Sequence, residues 1–417
     1  MQASLNIDGI AFCTLDIEGA NMPPSSNLIE NIMIMEGFGM GLPSMKLSLK
    51  DENETLSRDL NLKEGTAIKL RVGKSAADAP EYSFRVFGWK RPNTSQGKIL
   101  HIVCIMNRPK FGAGSFCEAF EGNSSNVMQQ VAELSNLLYE GPAETPVDTQ
   151  QWINLNTTRL SFTEDVAMRA FTNPQSCMSR IVRTDGTLVY KDLMKLLQEP
   201  PKFKLCHNSQ GTSGGKRVDV REVKDSSSSG LFTHFVNDGH KLFTHHFDGD
   251  DKSIESLDIN ANGAGVPVNT DVIAEIKERG ARVSYSGFDF GTGPDEGFNV
   301  HENYEQAYYQ NVRLLSLFSE RLIMIADTST EIKTFTSVDF EVGSNAKGQT
   351  APNDVAGRYI VGGKTIVIKN GNKYSEVFYL YRPFTSEAGN YSGAASSPKK
   401  VNASASGVDK NSRDFTR

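Results

Sequence analysis

Cysteine is scarce in these 417 residues: Cys13, Cys104, Cys117, Cys177 and Cys206 are odd in number, widely spread and free of any Cys-x-x-Cys pair. That excludes a disulfide framework and a thiolate metal knuckle, and leaves buried or half-buried free thiols as the expectation. Long apolar runs are missing as well. The most apolar stretch, Leu314–Ala326, is interrupted by Ser316, Ser319, Glu320 and Arg321, and it falls short of the roughly 20 residues that a membrane helix needs. No stable membrane insertion is expected. Met1–Asp8 has neither a basic stretch nor an apolar core, so no secretory leader is expected and the protein is expected to be made or assembled in cytosol. Positive charge is in deficit: 44 Lys and Arg against 50 Asp and Glu give a net charge of −6. Sequence-specific nucleic-acid binding, which needs a basic face to neutralise phosphate, is therefore not expected. A mildly acidic wall still suits a conduit along which DNA slides, because it does not hold phosphate.

What remains is a polar, Gly- and Ser-weighted chain, 38% hydrophobic and 23% charged, long enough for several cores. Its first hundred residues alternate apolar and polar positions in Met45–Lys50, Ala67–Val72, Tyr82–Phe87 and Ile99–Cys104, with turn residues between them, which predicts a small barrel. After Pro109 the period becomes helical. Val127, Val131, Leu134 and Leu138 fall on one face of a helix predicted over Asn126–Tyr139, capped by Ser124 or Ser125. A second helix is predicted to start at Thr163 and to stop before Asn173-Pro174. Met178–Arg183, the Asp185-Gly186 turn and Thr187–Tyr190 predict a hairpin.

Loops then dominate. Leu231–His234 recurs as Leu242–His245 across Asn237–Gly239, predicting a hairpin with mirrored arms. Thr270–Gly280 and Asn303–Phe318 read as helices, the latter with Tyr304, Tyr308, Val312 and Leu315 on one stripe. Strands follow at Arg321–Ala326 and Glu331–Val342. A terminal hairpin pairs Tyr359–Val361 and Thr365–Ile368 with Val377–Tyr381 across Asn370-Gly371-Asn372. The stretch after Tyr391 has little to bury.

Motifs for chemistry are weak. His234, His240, His245 and His246 crowd one hairpin beside Asp238, Asp248, Asp250 and Asp251, but no His-Glu-x-x-His or paired Cys-x-x-Cys spacing accompanies them. His234, His245 and His246 are the candidate metal ligands, and the plain reading is solvated or interface histidines, with no cofactor. Asp248–Glu255 is too short for a calcium loop. Gly211–Lys216 departs from a phosphate loop, since Gln210 replaces the first glycine and Arg217 the magnesium-binding Ser or Thr. Gly291–Gly297 lacks the dinucleotide spacing. No Gly-x-Ser-x-Gly elbow is present, and Asp289, Asp295 and Glu296 form no lysozyme-like segment. No catalytic residue is assigned and no enzyme is expected.

Three stretches carry a resemblance. They are Leu62–Val72 followed by Phe84–Trp89, the Arg183-x-Asp-Gly-x-Leu-x-Tyr-x-Asp-Leu193 run, and Gly357-x-Tyr-Ile-Val361 with Asn370-Gly371, Tyr374 and Leu380-x-Arg382. In this order they resemble bacteriophage tail baseplate hub proteins, a family similar to the first part of type VI secretion spike proteins. The resemblance implies an α+β, mainly β fold: two tube-like antiparallel β-barrel domains with an α+β middle domain. It places the first barrel at 1–108, the middle domain at 109–202 joined by 261–316, the second barrel at 203–260 with 317–390, and a flexible tail at 391–417. It implies a structural virion protein of the tail baseplate, a homotrimeric ring that adapts a sixfold tail tube to a threefold central spike and lines the DNA channel. Its implied partners are itself, the tail tube protein, the central spike protein and other baseplate proteins, with DNA passing without sequence-specific binding. The alternatives are a tail-associated cell-wall or polysaccharide hydrolase and a component of a type VI secretion or tailocin apparatus.

Overall fold

The computed structural model describes residues 12–18, 28–51, 62–73, 79–90, 93–94, 97–207, 216–228, 241–248, 253–260, 282–284, 309–310, 313–343, 355–370 and 373–383. The architecture is α+β and mainly β.

The first sheet contains β1 (Phe12–Ile17), β2 (Ile29–Gly37), β3 (Ser44–Lys50), β4 (Ala67–Gly73), β5 (Glu81–Lys90), β6 (Asn93–Thr94) and β7 (Gly97–Met106). Apart from the short β6 ribbon on β7, they pair antiparallel in the order β1-β4-β5-β7-β3-β2. Alternation decides the faces: Met45, Leu47 and Leu49 of β3 are buried, while Lys46 and Lys50 are exposed. The four expected strands all form. β1 and β2 were not foreseen, because Ile32-Met-Ile-Met35 is apolar on both faces of a strand that has neighbours on both sides.

The middle of the chain holds α1 (Pro109–Gly112), β8 (Phe116–Gly122), α2 (Ser124–Leu134), β9 (Leu138–Glu140), β10 (Gln150–Thr157), α3 (Arg159–Arg169), β11 (Met178–Val182), β12 (Thr187–Asp192) and α4 (Leu193–Gln198). The expected β11–β12 hairpin forms, and β9 joins it parallel to β12. α2 ends at Leu134, not Tyr139, because Asn136 adopts φ +55° and turns the chain into β9; Leu138 is then 67% exposed. Its cap is Asn123, whose side chain accepts the Asn126 N–H. α3 starts at Arg159, not Thr163, because Thr158 caps it by accepting the Ser161 N–H.

The second sheet is built from β13 (Phe203–His207), β14 (Lys216–Asp219) and β15 (Glu222–Ser228), and from β19 (Glu320–Ala326), β20 (Ser337–Val342), β21 (Gly357–Lys369) and β22 (Lys373–Arg382). Between these groups, β16 (Lys241–Asp248), β17 (Ser253–Asn260) and β18 (Arg282–Ser284) form a separate sheet. The segment Lys216–Ser228 closes the second sheet. Its first half pairs with β13, its second half pairs with β19, and the Val220 and Arg221 N–H groups donate to Cys206 and Ile325 carbonyls on the two sides. β13 runs parallel to both β14 and β20, a departure from a purely antiparallel barrel.

Of the strand expected over Glu331–Val342, only β20 forms, since Phe335 sits at φ +58° and breaks the run before it. Residues 313–317 are helical, and Arg313 and Leu317 carry the buried face, with Leu315 half-buried. Tyr304, Tyr308 and Val312 of the expected stripe lie outside the described residues, as do Leu231–His234, Thr270–Gly280 and the stretch after Tyr391. The second of the expected mirrored arms is β16, whose described partners are β17 and β18.

The largest core cluster runs from the first sheet through Phe111, the buried faces of α2 and α3, and Leu188 and Tyr190 of β12. Fully burying each such side chain contributes about 1.5–3 kcal/mol. A second cluster fills the closed barrel around Leu205, Met324, Phe340, Tyr359 and Phe378, and a third joins α4, Leu317, Phe335 and Ile360. Among the described residues no helix is long and apolar enough to cross a membrane.

Candidate functional site

β21 serves both the first sheet and the closed barrel. Its first half, from Gly357 to Ile360, pairs with β20 of the closed barrel, and its second half, from Gly363 to Lys369, pairs antiparallel with Asn31–Gly37 of β2. A register shift between Val361 and Gly363, against β22, marks the changeover. Ile366, Ile368 and Tyr374 accordingly belong to the first core, while Tyr359, Val361, Phe378 and Leu380 belong to the second.

Glycine permits the close approach at this seam. A Cβ on Gly37, at φ +153°, would lie 2.7 Å from both the Gly362 carbonyl oxygen and Gly363 Cα. The Phe38 N–H donates to that same carbonyl at 2.8 Å. The Phe38 ring then stands 4.9 Å from Phe318 and from Phe335, and 5.9 Å from Tyr381.

A polar lock lies beside the seam. Glu36 accepts the Thr334 hydroxyl at 2.8 Å and the Thr184 N–H at 2.6 Å. Arg183 donates to the Thr334 carbonyl at 3.1 Å through Nε and at 2.6 Å through Nη2, and its Nη1 pairs with Glu140. Lys191 reaches the other Glu140 oxygen at 2.5 Å. Burial pushes the Glu140 carboxyl up, but Lys191 and Arg183 outweigh it and hold the group below its usual range.

Two further pins enter from the segment before β19. Gln310 accepts the Met178 N–H at 2.5 Å and donates to the carbonyls of Met168, at 3.1 Å, and Ala170. Arg313, 1% exposed, donates to the carbonyls of Ser176, at 2.8 Å, and Pro174. In the closed barrel Glu376, also 1% exposed, accepts from Lys364 at 2.8 Å, from the Thr330 hydroxyl at 2.6 Å and N–H at 3.1 Å, and from the Tyr374 hydroxyl. All these charges hold segments together by hydrogen bonding, as buried charges must.

The residues singled out for chemistry do not converge. His245 and His246 lie on β16 opposite Ser256 and Glu255, while His234, Asp289, Asp295 and Glu296 lie outside the described residues. Among the described residues no group of three His, Cys, Asp or Glu could hold a metal. Of Gly211–Lys216 only Lys216 is described, at the start of β14, 2.9 Å from Glu331. A cavity of about 240 Å³ beside α4 is lined by Glu144, Asp192 and Lys195, but Lys195 pairs with Glu144 and Asp192 accepts from Cys177, Met194 and Thr172. The free cysteines Cys104 and Cys177 are buried, and burial pushes each thiol up to about 12, which makes them inert. The seam and its lock were missed in the sequence because Glu36, Thr184 and Thr334 are far apart and follow no spacing rule.

Solved structures share the fold. A tail protein from Neisseria meningitidis MC58 superposes with a TM-score of 0.51 at 10% identity, covering 89% of this chain and 96% of that one. The 43 kDa tail protein of prophage MuSo2 from Shewanella oneidensis gives a TM-score of 0.52 at 11% identity, again covering 89% and 96%. The fold is thus the one these tail proteins have. No family model matches the chain, and no curated protein matches it by sequence.

Proposed function

We propose that the chain is a structural baseplate hub of a phage tail: a homotrimeric ring that adapts a sixfold tail tube to a threefold spike and surrounds the DNA channel. One observation carries this reading, the seam in which β2 of the first sheet and β21 of the closed barrel pair edge to edge within a single chain. Edge-to-edge pairing is how barrel subunits close a ring without leaving open strand edges. A chain that builds two such units internally needs three copies to present six, which meets a sixfold partner on one side and a threefold one on the other. The lock at Glu36 and the pins at Gln310 and Arg313 suit a part that must hold its shape under load. On this reading the middle domain includes the segment that carries Gln310 and Arg313, the partners are the tube protein, the spike protein and other baseplate proteins, and the site of action is the virion tail.

The test is the absolute mass of the purified protein by light scattering across a concentration series, with images of the same sample. A stable species of three times 45.8 kDa that appears as rings is the expected result. A monomer at every concentration, both alone and with the spike protein, removes the proposal.

A further inference from the structure

The face of the joined sheet that points away from the core carries a rung of positive charge. The pairing register sets Lys90, His101, Ser48, Asn31, Lys369 and Lys373 side by side across β5, β7, β3, β2, β21 and β22. Directly paired residues share a face, so these six positions form one line. Lys46 and Lys50 flank it on β3. Lys46, Lys50, Lys90, Lys369 and Lys373 are all exposed, and none has an ion-pair partner among the described residues. The described acids within three residues of these lysines, Asp51 and Glu376, are both buried. At the far end of the same sheet charge is balanced instead: Lys69 lies opposite Asp16 and 3.9 Å from Glu81.

The chain as a whole has a net charge of −6, so this rung is a local reversal of sign and not the average surface. We propose that it is a contact for the phosphate backbone of DNA, held by charge alone. Six strands at about 4.8 Å spacing give a line of roughly 24 Å. Duplex DNA carries a negative charge every ~1.7 Å of its axis, so a rung of that length runs beside many phosphates. Lysine ammoniums on flexible stems meet phosphate as point charges and read no base, which leaves the duplex free to slide. The rung crosses the β2–β21 seam, so it exists only when the two sheets are joined. The inference deepens the hub reading by assigning the surface that DNA meets, and it rests on that reading for the source of the DNA.

The experiment measures binding of a fluorescent DNA duplex to the full-length protein by anisotropy over a potassium chloride series. It compares wild type with Lys369→Glu/Lys373→Glu, Lys369→Gln/Lys373→Gln, Lys46→Glu/Lys50→Glu and the control Lys69→Glu. Wild type should bind at low salt, with log K falling by about 0.9 per phosphate contact for each decade of salt. Each rung pair should weaken binding about tenfold and flatten the slope by about two, with Lys69→Glu near wild type and all circular dichroism spectra unchanged. Absence of binding at low salt, variants that bind with wild-type affinity and slope, or equal displacement by polyglutamate of matched charge would each overturn the proposal, the last in favour of an acidic protein partner. Light scattering on the same samples separates the two readings: a monomer that binds DNA through these lysines keeps the rung and removes the hub, and a trimer indifferent to DNA does the reverse.

Discussion

Glu36 on β2 accepts the hydroxyl of Thr334 at 2.8 Å although 298 residues of chain separate them. Its other oxygen takes the Thr184 N–H, so one buried carboxylate ties together the first sheet, the turn after β11 and the approach to β20. Both of its described donors are neutral. The nearby Arg183 guanidinium acts one bond removed, through the Thr334 carbonyl.

Replacing Glu36 with Ala leaves the N–H of half-buried Thr184 and the hydroxyl of buried Thr334 without an acceptor. Each orphaned group costs about 1–3 kcal/mol, so a loss of about 2–6 kcal/mol is expected. Glu36→Gln retains one acceptor and should lose roughly half as much. Urea denaturation followed by fluorescence reads the change as a lower midpoint, and a midpoint equal to wild type for Glu36→Ala would show that the lock contributes nothing.

Gly37 and Gly39 make a paired test of the seam. Both have positive φ, but a Cβ at Gly37 collides with the backbone of Gly362 and Gly363, whereas nothing lies within 4 Å of one at Gly39. Gly39→Ala should cost only the conformational penalty, about 1–2 kcal/mol. Gly37→Ala should cost more and loosen the pairing itself, seen as faster hydrogen exchange at 31–37 and 363–369 with the closed barrel still protected. Equal exchange in the two variants would refute the steric reading.

Acid should weaken the Arg183 side of the lock. The Glu140 carboxyl is held below its ordinary value of 4.5 in the folded protein, so its contribution is present above that value and is lost as pH falls through the lowered one. Asp185 behaves alike: burial pushes it up, and hydrogen bonds from Thr187 and Lys333 bring it below the usual range. The difference in melting temperature between wild type and Glu140→Gln should therefore stay constant from about pH 6 to 8 and close below about pH 4. A difference that widens in acid would reverse the assigned sign.

Period-two alternation was enough to find β3, β4, β5 and β7, because each has one face in the core and one in water, as Met45 and Lys46 illustrate. It failed at β2, where the partner on one side comes from residues 363–369, more than three hundred positions away, and buries part of the second face. The helix errors were local. Asn136 at φ +55° and the Thr158 cap decide where α2 and α3 stop and start, and periodicity does not register either. The seam was half legible: the terminal hairpin around Asn370 was foreseen, but that its first strand also extends the first sheet depends on the bulge after Val361. Net charge carries no information on placement. A sum of −6 conceals a local group of lysines that comes together only once register brings Lys90 on β5 and Lys373 on β22 onto one line.

The sharing of β21 also sets a timetable. The first sheet is translated by Met106, yet Ile366, Ile368 and Tyr374 of its core emerge from the ribosome only near the end of the chain. At about 5–20 residues per second that is a wait of some tens of seconds, during which β2 has an open edge and an unfinished apolar face. A nascent chain in this condition is exposed to mispairing with its neighbours on the same message, so its safe maturation depends on what shields β2 until residue 369 arrives.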